Sequence, residues 1–203
     1  MIIIPDDSTA QITGERPPAG AGGPGGGGFG GSPESVPPEY GSGMGREGVD
    51  ALKAFVQKGG TLVTLGNATG FAIDRFALPI RNVLAGKPTK EFFCPGSTLH
   101  AIFDNKNPLA YGMPSEGLVL FWSNQAFEIA PNDSNESYEV IVRYPGRDLL
   151  QSGWLVGEDL LFGKAAMISA KVGSGKVVLV GLRPQARATT HATFKLLFNA
   201  LVK

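Results

Sequence analysis

The stretch Gly59-Gly60-Thr61-Leu62-Val63-Thr64-Leu65-Gly66-Asn67-Ala68-Thr69-Gly70 has the outline of a strand that turns sharply into a helix. Gly66-Asn67-Ala68-Thr69-Gly70 keeps the spacing of a G-x-nucleophile-x-G elbow, which lifts a Ser or Cys side chain to the C-terminal end of a parallel strand. The middle position here is Ala68, and a methyl group attacks nothing. Thr69 stands one residue late, where its hydroxyl is suited to cap the next helix. Asn67 and Thr69 are therefore candidate ligand contacts, and neither is assigned a catalytic role.

A second cluster is Arg183-Pro184-Gln185-Ala186-Arg187 with His191 close behind. Two guanidinium groups, a carboxamide and an imidazole within nine residues are suited to clamp a carboxylate bidentately. They are equally placed to pair with Asp6, Asp7 or Asp74 and tie loops together. The candidate ligand-binding set is thus Asn67, Thr69, Arg183, Gln185, Arg187 and His191, with no catalytic residue and no metal ligand assigned. An alternative places an atypical enzyme site at the same strand ends, with Cys94 as a further member.

Metal and phosphate chemistry find little support. The chain has two histidines, His100 and His191, and one cysteine, Cys94. A catalytic zinc site needs three protein ligands, and no His-x-x-Glu, His-Glu-x-x-His or Cys-x-x-Cys occurs. His100 lies in a strand pattern, as a surface structural residue. Cys94 precedes Pro95 and a turn, and a free buried cysteine behaves as a small hydrophobe. Gly175-Lys176 is followed by Val177 and a strand, unlike a phosphate loop, which runs into a helix. No cofactor is expected.

The elements that must position these residues are legible in part. Ile2-Ile3-Ile4-Pro5-Asp6 reads as a buried parallel strand ending in a loop. A central strand so near the start implies that preceding strands are missing. Residues 14–44 are rich in Gly and Pro and form a flexible insert, because such composition cannot offset its ordering entropy. Val49, Leu52, Phe55 and Val56 give one face of a helix, closed by Gly59-Gly60. A strand at Thr61–Leu65, the elbow and a short helix through Phe71, Ile73 and Phe76 follow. Leu99–Phe103, Leu118–Trp122 and Tyr138–Tyr144 read as antiparallel or mixed strands, and Gly153–Leu161 as a short helix or ordered loop. Ala165–Val172 and Lys176–Val180 form a hairpin around Gly173-Ser174-Gly175. A last helix starts near Thr190, with Phe194, Leu197, Phe198 and Leu201 on one face.

With 203 residues, 18 basic and 18 acidic side chains, the chain carries no net charge. That gives no electrostatic footprint for nucleic acid. No apolar run is long enough to span a bilayer, and the N-terminus lacks the pattern of a leader peptide. The size fits one α/β domain over 1–203.

Three segments, taken in order, carry a family likeness: "EGVDALKAFVQKGGTLVTLGNATGFAIDRFALPIRNVL", "FFCPGSTLHAIFDNKNPLAYGMP" and "GKVVLVGLRPQARATTHATFKLLFNALVK". They resemble the C-terminal region of bacterial zinc carboxypeptidases of the carboxypeptidase A-like type. There a catalytic domain precedes a domain of the class I glutamine amidotransferase-like fold. The resemblance implies a three-layer, flavodoxin-like α/β sandwich with a mainly parallel sheet and an antiparallel extension. It also implies a secreted or periplasmic protein, and as partner the peptidase domain of the same parent chain or a second copy. The peptidase zinc motif is absent here. Ala68 stands where the amidotransferase cysteine would be, and no His-x-Glu follows the late strand. The expected role is therefore a non-catalytic accessory domain for inter-domain packing, oligomerisation or ligand binding.

Overall fold

Ten strands and four helices are found over the residues that the computed structural model describes, 1–15, 43–131, 137–187 and 189–202. The strands are β1 (Ile2–Ile4), β2 (Thr61–Leu65), β3 (Ile80–Asn82), β4 (Pro95–Phe103), β5 (Glu116–Trp122), β6 (Phe127–Ile129), β7 (Tyr138–Arg143), β8 (Leu150–Ser152), β9 (Ala165–Val172) and β10 (Gly175–Val180). The helices are α1 (Thr9–Thr13), α2 (Gly45–Gln57), α3 (Ala68–Arg75) and α4 (Phe194–Val202). Most of the Gly/Pro-rich insert expected at 14–44 lies outside the described residues. At its two ends the chain comes together, since the Met44 amide donates to the Ile12 carbonyl.

The sheet runs β1-β2-β10-β9-β7-β4-β5. β1, β2 and β10 are parallel, with Ile3 opposite Val63 and Val63 opposite Val178. From β10 onward, along β9, β7, β4 and β5, every pairing is antiparallel. Strand alternation then divides the core in two. Leu62, Val177 and Leu179 face the side of α1, α2 and α3, whereas Val63, Val178 and Val180 face Leu196 and Ala200 of α4. The result is a three-layer α/β sandwich of the flavodoxin-like type, whose parallel sector continues into an antiparallel extension.

Local chemistry explains how the elements begin and end. In α2, Val49, Leu52 and Val56 are buried at the spacing the sequence implies. Its end is a Schellman motif: the Gly60 amide donates to the Phe55 carbonyl and the Gly59 amide to the Val56 carbonyl, with Gly59 at φ +107°. The β9–β10 hairpin pairs Val172 with Gly175. Its two-residue loop has Gly173 first at φ +60°, the position where a two-residue hairpin needs glycine. Helix α1 has no counterpart in the sequence reading, although Ser8 and Gln11 form a capping box that closes its first turn.

Two expectations are corrected. β1 is parallel to β2 as expected, yet it is an edge strand among the described residues, and Ile2 and Ile3 are exposed while Ile4 is buried. An apolar run can be read as doubly covered when one face and one edge are open. In α4 the buried pair is Leu196 and Ala200, and Phe198 and Leu201 face outward. The segment carries two overlapping apolar stripes, and its polar residues decide between them. Asn199 Nδ2 donates to the carbonyls of Leu109 and Tyr111, and Lys195 Nζ to that of Gly112. Those bonds turn Leu196 and Ala200 inward.

A carboxylate joins the short β3–β6 pair to the rest of the sheet. Glu128 of β6 accepts from Lys164 Nζ at 2.7 Å and from Arg81 of β3. Lys164, then Arg81, hold its carboxyl below the usual carboxylate range. A depressed folded-state value stabilises the fold above the usual carboxylate range, and the contribution is lost as pH falls through the depressed value. The Glu128→Gln variant is expected to match the wild type in stability below that window and to fall short of it at neutral pH. Urea unfolding at pH 3 to 7, spaced at about one-unit steps, measures this.

Candidate functional site

The elbow forms where β2 ends beside β1 and β10. Gly66 takes φ +52° and its amide donates to the Val180 carbonyl of β10 at 2.9 Å, so the turn is held to the neighbouring strand. Ala68 opens α3 and is completely buried, with 0% exposure. The side chain at the position of an elbow nucleophile therefore faces the core shared with Phe71 and Ala72. No reactant reaches it.

Asp6, from the loop after β1, occupies the mouth of the elbow. Its Oδ1 accepts the Asn67 amide at 2.7 Å, and its Oδ2 lies 3.0 Å from a guanidinium nitrogen of Arg183. A carboxylate at the first turn of a helix is favourably placed against the exposed amides there. Arg183 is fixed again by Nε, which donates to the Trp122 carbonyl at 2.7 Å, and it stacks on the Trp122 ring. The guanidinium joins the β1 loop to the end of β5. Of the two roles open to it from sequence, the tie to Asp6 is realised.

Of the six sequence-predicted residues, Asn67 and Arg183 meet on the Asp6 carboxylate, and the others lie in other settings. Asn67 faces a cleft beside the elbow. Thr69 is buried, and its hydroxyl donates to the Gly66 carbonyl at 2.7 Å. It braces the turn from inside, instead of accepting an amide as the expected cap would. Gln185 is exposed. Arg187 is exposed and borders a small cavity of about 280 Å³ with Pro95, Trp122 and Thr189. His191 packs edge-on against Phe194, in its own segment. Among the described residues, no group of three His, Cys, Asp or Glu is disposed to hold a metal ion.

What the structure assembles instead is an open cleft of about 600 Å³ between the elbow, the Asn82–Ala85 segment, the Phe92–Pro95 segment and the loop after β5. Four carboxamides line it: Asn67, Asn82, Asn124 and Gln125. Three of them form a chain, since Gln125 Nε2 donates to Asn67 Oδ1 and Asn82 Nδ2 donates to Gln125 Oε1. Asn124 holds the loop by accepting the Trp122 amide and donating to the Leu120 carbonyl. Next to it Ser123 sits at φ +55°, a conformation that non-glycine residues adopt mostly where the surroundings impose it. The apolar walls are Phe92, Phe93, Phe121 and Trp122.

Cys94 also borders the cleft, and it is almost wholly buried. Burial pushes its thiol up, outweighing the hydrogen bonds from Ser97, so it stays protonated at neutral pH. Behind it lies Tyr144, fully buried, whose hydroxyl has no hydrogen-bond partner. Burial pushes this phenol upward, and the nearby Asn124 amide, outside bonding geometry, opposes the shift only in part. Sequence reasoning missed Asn82, Asn124 and Gln125. The available signal was the polar run Ser123-Asn124-Gln125 directly after an apolar strand.

No family model matches this chain, and no curated protein matches it. Solved structures with similar folds exist at low identity. The Cytoplasmic Protein STM3548 from Salmonella typhimurium aligns with 98% of this chain and 69% of its own, at 12% identity and TM-score 0.51. A putative ThuA-like protein from Parabacteroides merdae aligns with 77% of this chain and 64% of its own, at 13% identity and TM-score 0.49. A putative GMP synthase subunit from Thermoplasma acidophilum aligns with 77% of this chain and 63% of its own, at 9% identity and TM-score 0.47. The chain thus spans less than two thirds of the latter two, and 20% of a β-galactosidase from Bacillus circulans sp. alkalophilus with which it also aligns. These likenesses concern fold, and fold alone assigns no activity.

Proposed function

We propose that this amidotransferase-like domain is a non-catalytic accessory module, and that its parent is a zinc carboxypeptidase-like protein. One observation carries the first part: Ala68 is sealed in the core, and Asp6 and Arg183 close the mouth of the elbow above it. An acyl-transfer site requires a nucleophile, a base in hydrogen-bond reach and open space for the substrate. The elbow offers none of these. Cys94, the one thiol, is almost wholly buried, and that burial pushes it up, away from the thiolate a nucleophile needs. The second part is supported by the three sequence segments quoted above. The outward row of Phe198, Leu201 and Val202 on α4, 42% to 85% exposed, is an apolar surface fit to pack against the peptidase domain or a second copy.

Turnover decides the matter. The purified protein, incubated with glutamine and separately with p-nitrophenyl esters, is expected to release glutamate and nitrophenol no faster than buffer does. Saturable turnover that disappears in the Cys94→Ser variant would establish the atypical enzyme at the strand ends instead.

A further inference from the structure

The cleft beside the elbow has a chemical character that narrows its ligand. No ionisable Asp, Glu, Lys, Arg or His side chain is among its lining residues. Two ion pairs flank it, Asp6 with Arg183 and Lys87 with Glu91, and each charge there already has its partner. A ligand that carries a formal charge finds no counter-charge among the lining residues, so the lining itself gives it no electrostatic advantage over a neutral one. The lining provides carboxamides, each of which both donates and accepts, set among aromatic walls.

The carboxamides are also oriented in advance. In the Asn67–Gln125–Asn82 chain each link fixes the next amide, and the Asn82 carbonyl oxygen is itself held by the amides of Leu84 and Ala126. Among the described residues the Asn67 side-chain nitrogen donates to no protein group, so its two hydrogens are open to whatever enters. Outside the lining, behind Asn124 and Cys94, the Tyr144 hydroxyl is buried without a partner. Buried hydroxyls ordinarily have one.

We infer that this cleft is a binding site for an uncharged carbohydrate of one or two rings. Sugar hydroxyls both donate and accept, matching carboxamides, and the C–H face of a pyranose packs on an aromatic wall such as Trp122 or Phe92. A peptide is the weaker match, because strand-like peptides are read by the free amides and carbonyls of a sheet edge, whereas the polar groups of this cleft are side chains. The inference stands whether or not the elbow is inert, so its failure and that of the accessory reading are separable.

The test uses Trp122 as reporter. The chain has two tryptophans, and Trp154 lies outside the cleft lining, so the Trp154→Phe variant leaves Trp122 alone. Titration with glucose, galactose, maltose and cellobiose is expected to change its fluorescence saturably for at least one sugar. The affinity is expected to be indifferent to salt. Glucose 6-phosphate and dipeptides are expected to give no saturable change. Asn67→Ala and Gln125→Ala, both at exposed or half-exposed positions and confirmed as folded by circular dichroism, are expected to weaken the best sugar at least about tenfold each. No saturable change with any neutral sugar overturns the proposal. So does tighter binding of the phosphate or a dipeptide, or an affinity untouched by both substitutions.

Discussion

Replacing Gly66 by alanine is expected to destabilise the protein by about 3 kcal/mol, from roughly 1–2 kcal/mol for a left-handed alanine and a similar amount for steric overlap. Gly66 has φ +52°. A Cβ built there would sit 2.4 Å from Asp6 Oδ1 and 2.5 Å from its Cγ. The carboxylate cannot step aside cheaply, because one oxygen holds the Asn67 amide and the other holds Arg183. In a domain of this size the loss corresponds to a fall in Tm of about 6–12 °C. The second glycine of the same motif supplies an internal control. Gly70 lies within α3 with nothing inside 4 Å of a built Cβ. Gly70→Ala is therefore expected to be neutral or to stabilise by about 0.5–1 kcal/mol. Scanning calorimetry on both variants separates an elbow that needs only its first glycine from one that needs both.

The Asp6→Ala variant is expected to lose about 1–2 kcal/mol. Hydrogen bonds to a charged group contribute roughly 1.5–3 kcal/mol, reduced here because the Asp6 and Arg183 side chains are 26% and 36% exposed. Asp6→Asn keeps one acceptor for the Asn67 amide and is expected to lose about half as much. The two substitutions also differ in a spectroscopic readout. Without the carboxylate, Arg183 keeps only its bond to the Trp122 carbonyl and its stack on the ring. Trp122 fluorescence is therefore expected to shift more in Asp6→Ala than in Asp6→Asn. Equilibrium unfolding in urea, followed at that tryptophan in a Trp154→Phe background, measures both effects together.

Local patterns carry the fold a long way. The strand Thr61–Leu65 follows from its apolar run, and the end of α2 from the Gly59-Gly60 pair. The β9–β10 hairpin follows from Gly173, and the position of the elbow from its place after a parallel strand. Each is decided by a few neighbouring residues. The errors fall where distant partners decide. Whether Ile2 and Ile3 are covered depends on which strand lies beyond β1, which is not written in the run itself. Which stripe of α4 turns inward depends on carbonyls at 109, 111 and 112, supplied by a turn some ninety residues upstream.

The candidate site is less legible for the same reason. Arg183 reads as a charge that needs a partner, and Asp6 is among the partners open to it, at a separation of 177 residues. The cleft is built from carboxamides contributed by three separate segments, around 67, 82 and 124, and each alone looks like an ordinary turn residue. Thr69 shows how a correct residue can carry a different role. Its hydroxyl serves the turn, but as a donor to the Gly66 carbonyl.

The central claim is that the position of an elbow nucleophile is sealed in this chain. Thiol accessibility at that position tests it most directly. In the Ala68→Cys, Cys94→Ala double variant, confirmed as folded by circular dichroism, iodoacetamide is expected to leave the native protein unmodified over hours and to label it fully once unfolded in urea. Rapid labelling of the native double variant at the introduced thiol, followed by intact-mass spectrometry, would contradict the account, because it would place that side chain at an open strand end.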